Sequence, residues 1–194
     1  MIARRFGVAG LLAVGIVLVA PAMSTAAPVD PTGAILSAAE FPIDTGTTYR
    51  VTHTVNRAPT TSSGLTADAC ESAGVKMMNA ATGSRSTDAM AFQGKTYASV
   101  ELTDRALVTP IRATIDACRT IPNADVPVLI GTPAEFTRYR LIAGTASHGK
   151  ELNGWAEVRG VTVQVVVDAS PNPPDYDTFW RLLRAQIAKI ERQP

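Results

Sequence analysis

Cys70, Cys118, His53 and His148 are all the thiols and imidazoles that this 194-residue chain possesses. A zinc site wants three or four His, Cys or carboxylate ligands at short spacing, and neither histidine has a second one close by, so no metal centre is indicated. The chain contains no G-x-S-x-G nucleophile elbow, and no G-x-x-x-x-G-K-[ST] or G-x-G-x-x-G loop to cradle a phosphate. Catalytic triads are defined by geometry rather than spacing, which leaves a hydrolase with a dispersed site open as an alternative. Two carboxylates facing one cleft would suffice for glycoside hydrolysis; Glu101, Asp104, Glu135, Glu151 and Glu157 have the right chemistry, but nothing in their spacing separates them from charges on solvated strands. No catalytic residue and no cofactor is assigned, and the chain reads as non-enzymatic.

Two residues are candidates for ligand contact. Trp155 breaks its local pattern: it shares a strand face with Glu151, Asn153 and Glu157, while Leu152, Ala156 and Val158 take the other face. An aromatic on a polar face serves as a ligand platform or is covered by a helix or loop. His53 alternates with Tyr49, Val51 and Val55, which reads as a partly buried strand histidine with access to a ligand. His148, in the small polar turn Thr145 to Lys150, is expected in solvent.

These side chains are positioned by a mixture of helices and strands. Ala34 to Glu40 reads as a brief helix ending at Phe41-Pro42, and Thr48 to Val55 alternates as a half-buried strand. Ala58 to Gly64 is a Thr, Ser and Pro-rich loop, and Thr66 to Ala81 is helical, with Cys70, Ala73, Met77 and Ala81 at spacings of three and four. Ala89 to Phe92 and Thr96 to Thr103 form a hairpin through Gln93-Gly94-Lys95. Thr109-Pro110 starts a helix that runs to about Arg119 and buries Ile111, Ile115 and Cys118. Further strands are expected at Phe136 to Ala143, Leu152 to Val158 and Val161 to Val167, the last two joined by the tight turn Arg159-Gly160. The final helix is capped by Asp175 and carries the stripe Tyr176, Phe179, Trp180, Leu183, Ile187 and Ile190. The pattern predicts an α+β domain with an antiparallel sheet of about five or six strands and helices packed on it.

The first 26 residues read as a secretory signal peptide: Arg4 and Arg5, an apolar run from Val8 to Ala20, and the small-x-small site Ser24-Thr25-Ala26. The run is shorter than the roughly 20 residues a membrane span requires, so cleavage after Ala26 and no permanent span are expected. The paired arginines leave the general and the twin-arginine export routes both open. The remainder, residues 27–194, reads as one domain with 16 basic and 17 acidic residues, a balance that offers nothing to nucleic acid or anionic lipid. In an exported chain two cysteines are most simply a disulfide, Cys70 to Cys118, the alternative being two free thiols.

Several segments together resemble the extracellular sensor domain of actinobacterial PknH-type serine/threonine kinases and the secreted proteins that share it. They are Ala34 to Phe41, Asp68-Ala69-Cys70, Ile115-Asp116-Ala117-Cys118, and Arg159-Gly160-Val161 to Val167 with the terminal helix around Ala185 to Ile190. The resemblance implies a central antiparallel sheet, a groove, no catalysis, and a ligand outside the cell: a small molecule, lipid or cell-envelope component. The chain departs from it in having one cysteine pair where the kinase sensors typically have two, Ile115 where an aromatic commonly precedes the second helical cysteine, and no kinase. Alternatives to a sensor-like binding domain are the dispersed-site hydrolase and an envelope protein-interaction module working through an apolar patch around Trp155.

Overall fold

The computed structural model describes residues 28–46, 48–58, 68–122 and 124–194; the segment expected to be a signal peptide and, apart from Ala58, the expected loop Ala58 to Gly64 lie outside the described residues. The frame is a seven-stranded antiparallel sheet: β1 (Arg50–Val55), β2 (Arg85–Gln93), β3 (Thr96–Thr103), β4 (Val128–Leu129), β5 (Arg140–Ala146), β6 (Glu151–Val158) and β7 (Val161–Asp168). Their spatial order is β1-β2-β3-β7-β6-β5-β4. Among the described residues four α-helices accompany the sheet: α1 (Pro31–Ala34), α2 (Ala69–Ala81), α3 (Val108–Cys118) and α4 (Tyr176–Glu191). The fold is α+β as expected, with one strand more than anticipated. That strand, β4, is two residues long, too short for any alternation to register.

One face of the sheet builds the core. Ala89, Val100, Val165 and Ala143 occupy one row across it, flanked by Leu102, Val163 and Ala156 and by Ala98, Val167 and Leu152, all buried. Against them α4 places Phe179, Leu182, Leu183, Ile187 and Ile190. Asp175 starts α4 by accepting the Thr178 N–H at 2.9 Å, the expected cap. Gly154 completes the central row because a Cβ there would lie 2.6 Å from Phe179 Cζ. The stripe differs from expectation at one end: Tyr176 is exposed, whereas Leu182 and Gln186 are buried.

Gln186 also explains why residues 34–40 are not one helix. Asp30 and Pro31 start α1 earlier, and Ile35 is already extended. The Gln186 amide then donates to Ala34 O at 2.8 Å and accepts the Leu36 N–H at 3.1 Å, satisfying backbone groups that a helix would have used itself. A separate 3-10 turn follows at Ala38–Glu40.

The opposite face is only partly covered. There α3 sets Val108 and Ile115 on Ile142, with Ile111, Leu129 and Trp155 around them. Thr109 does not cap α3, which begins one residue earlier; the Leu107 N–H is taken by Thr162 Oγ1 of β7 at 2.7 Å. α2 has no buried residue and packs on α3, to which the Cys70–Cys118 disulfide ties it.

Two strands are displaced from their expected positions. Residues 136–139 form a turn because Phe136 is buried by stacking on Trp180, ring centroids 5.5 Å apart, so β5 starts only at Arg140. β2 reaches back to Arg85 because Asn56 and Ser84 close the β1–β2 connection, with the Asn56 N–H donating to Ser84 O. β1 itself is exposed along all six residues rather than half-buried: it is the sheet's edge, beyond the reach of α4. Arg159 and Gly160, both at positive φ, make the expected tight turn between β6 and β7.

Candidate functional site

Two places on the partly covered side concentrate chemistry. The first is a cleft of about 470 Å³ between α2 and α3, lined by Ala69, Ser72 and Ala73 on one wall and Thr109, Pro110 and Ala113 on the other, with Lys76 at its rim. Small side chains hold the helices close enough for the Thr114 hydroxyl to reach Ala73 O at 3.2 Å. Asp68 caps α2 through the Glu71 N–H at 2.8 Å, and the disulfide joins the first turn of α2 to the last residue of α3. The lining is thus mostly apolar, with two hydroxyl residues, Ser72 and Thr109, and one titratable group, Lys76, and its volume lies within the range of small-molecule pockets.

The second is a row across the sheet: Thr52, Asp88, Glu101, Gln164, Trp155 and Ile142 stand opposite one another on β1, β2, β3, β7, β6 and β5. It grades from polar to apolar, and the apolar end lies beneath α3. Asp88 and Glu101 face each other directly, a like-charge cross-strand pair that disfavours double ionisation. Burial, and next the neighbouring Glu101, raise the Asp88 pKa from 3.8 to about 6. Glu101 accepts from Thr103 Oγ1 at 3.5 Å, which in turn lies 2.9 Å from Ser86 Oγ, to which the Asn56 amide donates.

Trp155 is half-buried in the α3 cluster. His53 lies exposed on β1, its Nδ1 3.0 Å from Thr87 Oγ1, in a cavity of about 180 Å³ also lined by Asp30, Thr32, Val55 and Arg85. His148 is exposed in a left-handed turn, as expected. Of the carboxylates, Glu101, Glu151 and Glu157 share the partly covered face. Glu151 accepts from Asn153, and Glu157 Oε2 lies 3.6 Å from Arg140 but accepts no hydrogen bond. Asp104 is instead paired with Arg85 at 2.9 Å and Glu135 with Arg184, both away from the row.

Asp88, Gln164 and Lys76 are the residues that sequence reasoning missed. Extending the β2 alternation back to Arg85 would have set Ser86, Asp88 and Met90 against Thr87, Ala89 and Ala91. The cleft has no such signal, since it depends on how two helices pack. Among the described residues no three His, Cys, Asp or Glu side chains converge to hold a metal ion, and no helix is long and apolar enough to cross a membrane. The disulfide is compatible with an extracytoplasmic location. No protein family, no curated protein and no solved structure matches this chain.

Proposed function

We propose that the chain is a secreted, sensor-like, non-catalytic domain that binds a small amphipathic molecule between α2 and α3. The observation that carries this reading is the cleft itself, mostly apolar, with the Ser72 and Thr109 side chains and Lys76 as its polar residues. Its walls suit a hydrocarbon body, and the Lys76 ammonium at the rim suits an acidic head, as in a lipid-derived carboxylic acid. The export signal and the resemblance to PknH-type sensor domains accord with a ligand met outside the cell. Binding of dodecanoic acid and of dodecanol to the secreted protein tests it by calorimetry. Ala73→Trp, which fills the cleft, should abolish binding of both, and Lys76→Glu should weaken the acid about tenfold while leaving the alcohol unchanged. Equal binding by the wild type and Ala73→Trp would overturn the reading. Export is tested by fractionation: mature protein beginning at Ala27 is expected outside the membrane, and a full-length membrane-bound chain would contradict it.

A second reading rests on Asp88. A carboxyl that holds its proton to about pH 6 beside a second carboxylate has the make-up of a general acid paired with Glu101. This hydrolase reading requires Asp88→Asn and Glu101→Gln each to remove a measurable glycosidase activity, and its absence from the wild type across a panel of aryl glycosides would dismiss it.

A further inference from the structure

We propose that the β1 edge is a strand-addition site for an extended acidic peptide. A sheet edge presents unpaired N–H and C=O groups, and proteins blunt such edges with short strands, prolines, bulges or inward-pointing charge. The two edges of this sheet differ in that respect. β4 is two residues long and follows Pro127. β1 pairs in unbroken register with β2 from Arg50↔Met90 to Val55↔Arg85, contains neither Pro nor Gly, and has β2 as its only strand partner among the described residues. Four of its six residues, Val51, Thr52, Thr54 and Val55, are β-branched, and Val51 and Val55 are 38% and 61% exposed.

Charge selects the partner. From Thr48 to Ala58 the chain carries Arg50, His53 and Arg57 and no acid. A second copy pairing antiparallel on β1, with Thr52 opposite His53, would set Arg50 of each copy diagonal to Arg57 of the other, which is repulsive. An acidic strand meets the same groups favourably. The cavity beside β1 adds side-chain selectivity, because His53, Val55 and Thr87 open into it together with Arg85 and Asp30. An added strand would gain affinity from main-chain hydrogen bonds and specificity from the alternate side chain that enters this cavity. The inference is independent of the α2–α3 cleft.

The test uses blocked octapeptides of alternating valine and glutamate, the same with lysine for glutamate, and the glutamate peptide N-methylated at alternate amides, each titrated into isotopically labelled secreted protein. The glutamate peptide should bind about tenfold or more tightly than the lysine peptide and slow amide exchange within residues 50–55. One N-methylation frame should abolish binding, since it removes the donors that face β1. Arg57→Glu, outside the strand and exposed, should shift the preference toward the lysine peptide. Equal affinity for both charges, binding without protection of residues 50–55, or a chain that self-associates through β1 in sedimentation would each overturn the proposal.

Discussion

The two faces of the sheet obey opposite rules although they are built from the same strands. On the α4 face the central row, Ala89, Val100, Val165, Gly154 and Ala143, is apolar or glycine throughout, and its side chains are buried to within a few per cent. On the other face the central row runs Asp88, Glu101, Gln164, Trp155, Ile142, and only its far end is sealed by α3. The first face is where apolar area is removed from water; the second leaves ionisable groups part-buried and facing one another. Stability is therefore concentrated on one side, and the chemistry available for function on the other.

Substitution at the centre of the packed face should break this asymmetry most severely. Phe179→Ala empties the position that seats on Gly154 and should lower the unfolding free energy by about 3–5 kcal/mol, read by denaturant titration. Next in size is reduction of the Cys70–Cys118 bond, which closes a 48-residue separation and should remove about 2–4 kcal/mol. Because α2 buries no residue, its amides should exchange first in the reduced protein while the β3–β7 pairing stays protected; simultaneous loss of both would mean that the two faces unfold as one. Gln186→Leu keeps the volume on the packed face but strands Ala34 O and the Leu36 N–H, and should lower stability by about 2–3 kcal/mol.

The smallest effect is the most diagnostic of the open face. Asp88 has a folded pKa of about 6 against an ordinary 3.8, so below pH 3.8 it is neutral folded or unfolded and carries no penalty. Between pH 3.8 and 6 the unfolded chain ionises while the folded one resists, and stability falls as pH rises. Asp88→Asn should remove that slope, gaining about 1 kcal/mol at pH 7.5 after solvent screening on this half-buried face and nothing at pH 3.5. An identical slope in wild type and variant, measured by urea unfolding across that window, would show that neither burial nor Glu101 raises the Asp88 pKa in the fold.

Much of the architecture was legible in the residues. The period-two runs of β3, β6 and β7, the 3.6-residue stripe of α4 with its Asp175 cap, and the Arg159-Gly160 turn are local patterns that tertiary packing reinforced. The failures share a cause. Ala34 to Glu40 has helical composition, yet Gln186, 150 residues away from Leu36, captured its backbone groups. Phe136 looked like the start of a strand, and Trp180 drew it into a turn. β1 alternates as a half-buried strand does, but alternation says nothing about whether a helix arrives to cover it.

By itself the sequence determined the α+β class, the alternation that assigns each strand residue to one face or the other, and the two cysteines available for a bond, because these follow from local geometry and side-chain chemistry. Tertiary structure alone decided which face α4 would cover, that Asp88 would stand opposite Glu101, that α2 and α3 would enclose a cleft beside Lys76, and that β1 would lie at the end of the strand order. Strand order and helix docking set those neighbours across tens of residues of chain, and no periodicity within a segment encodes them.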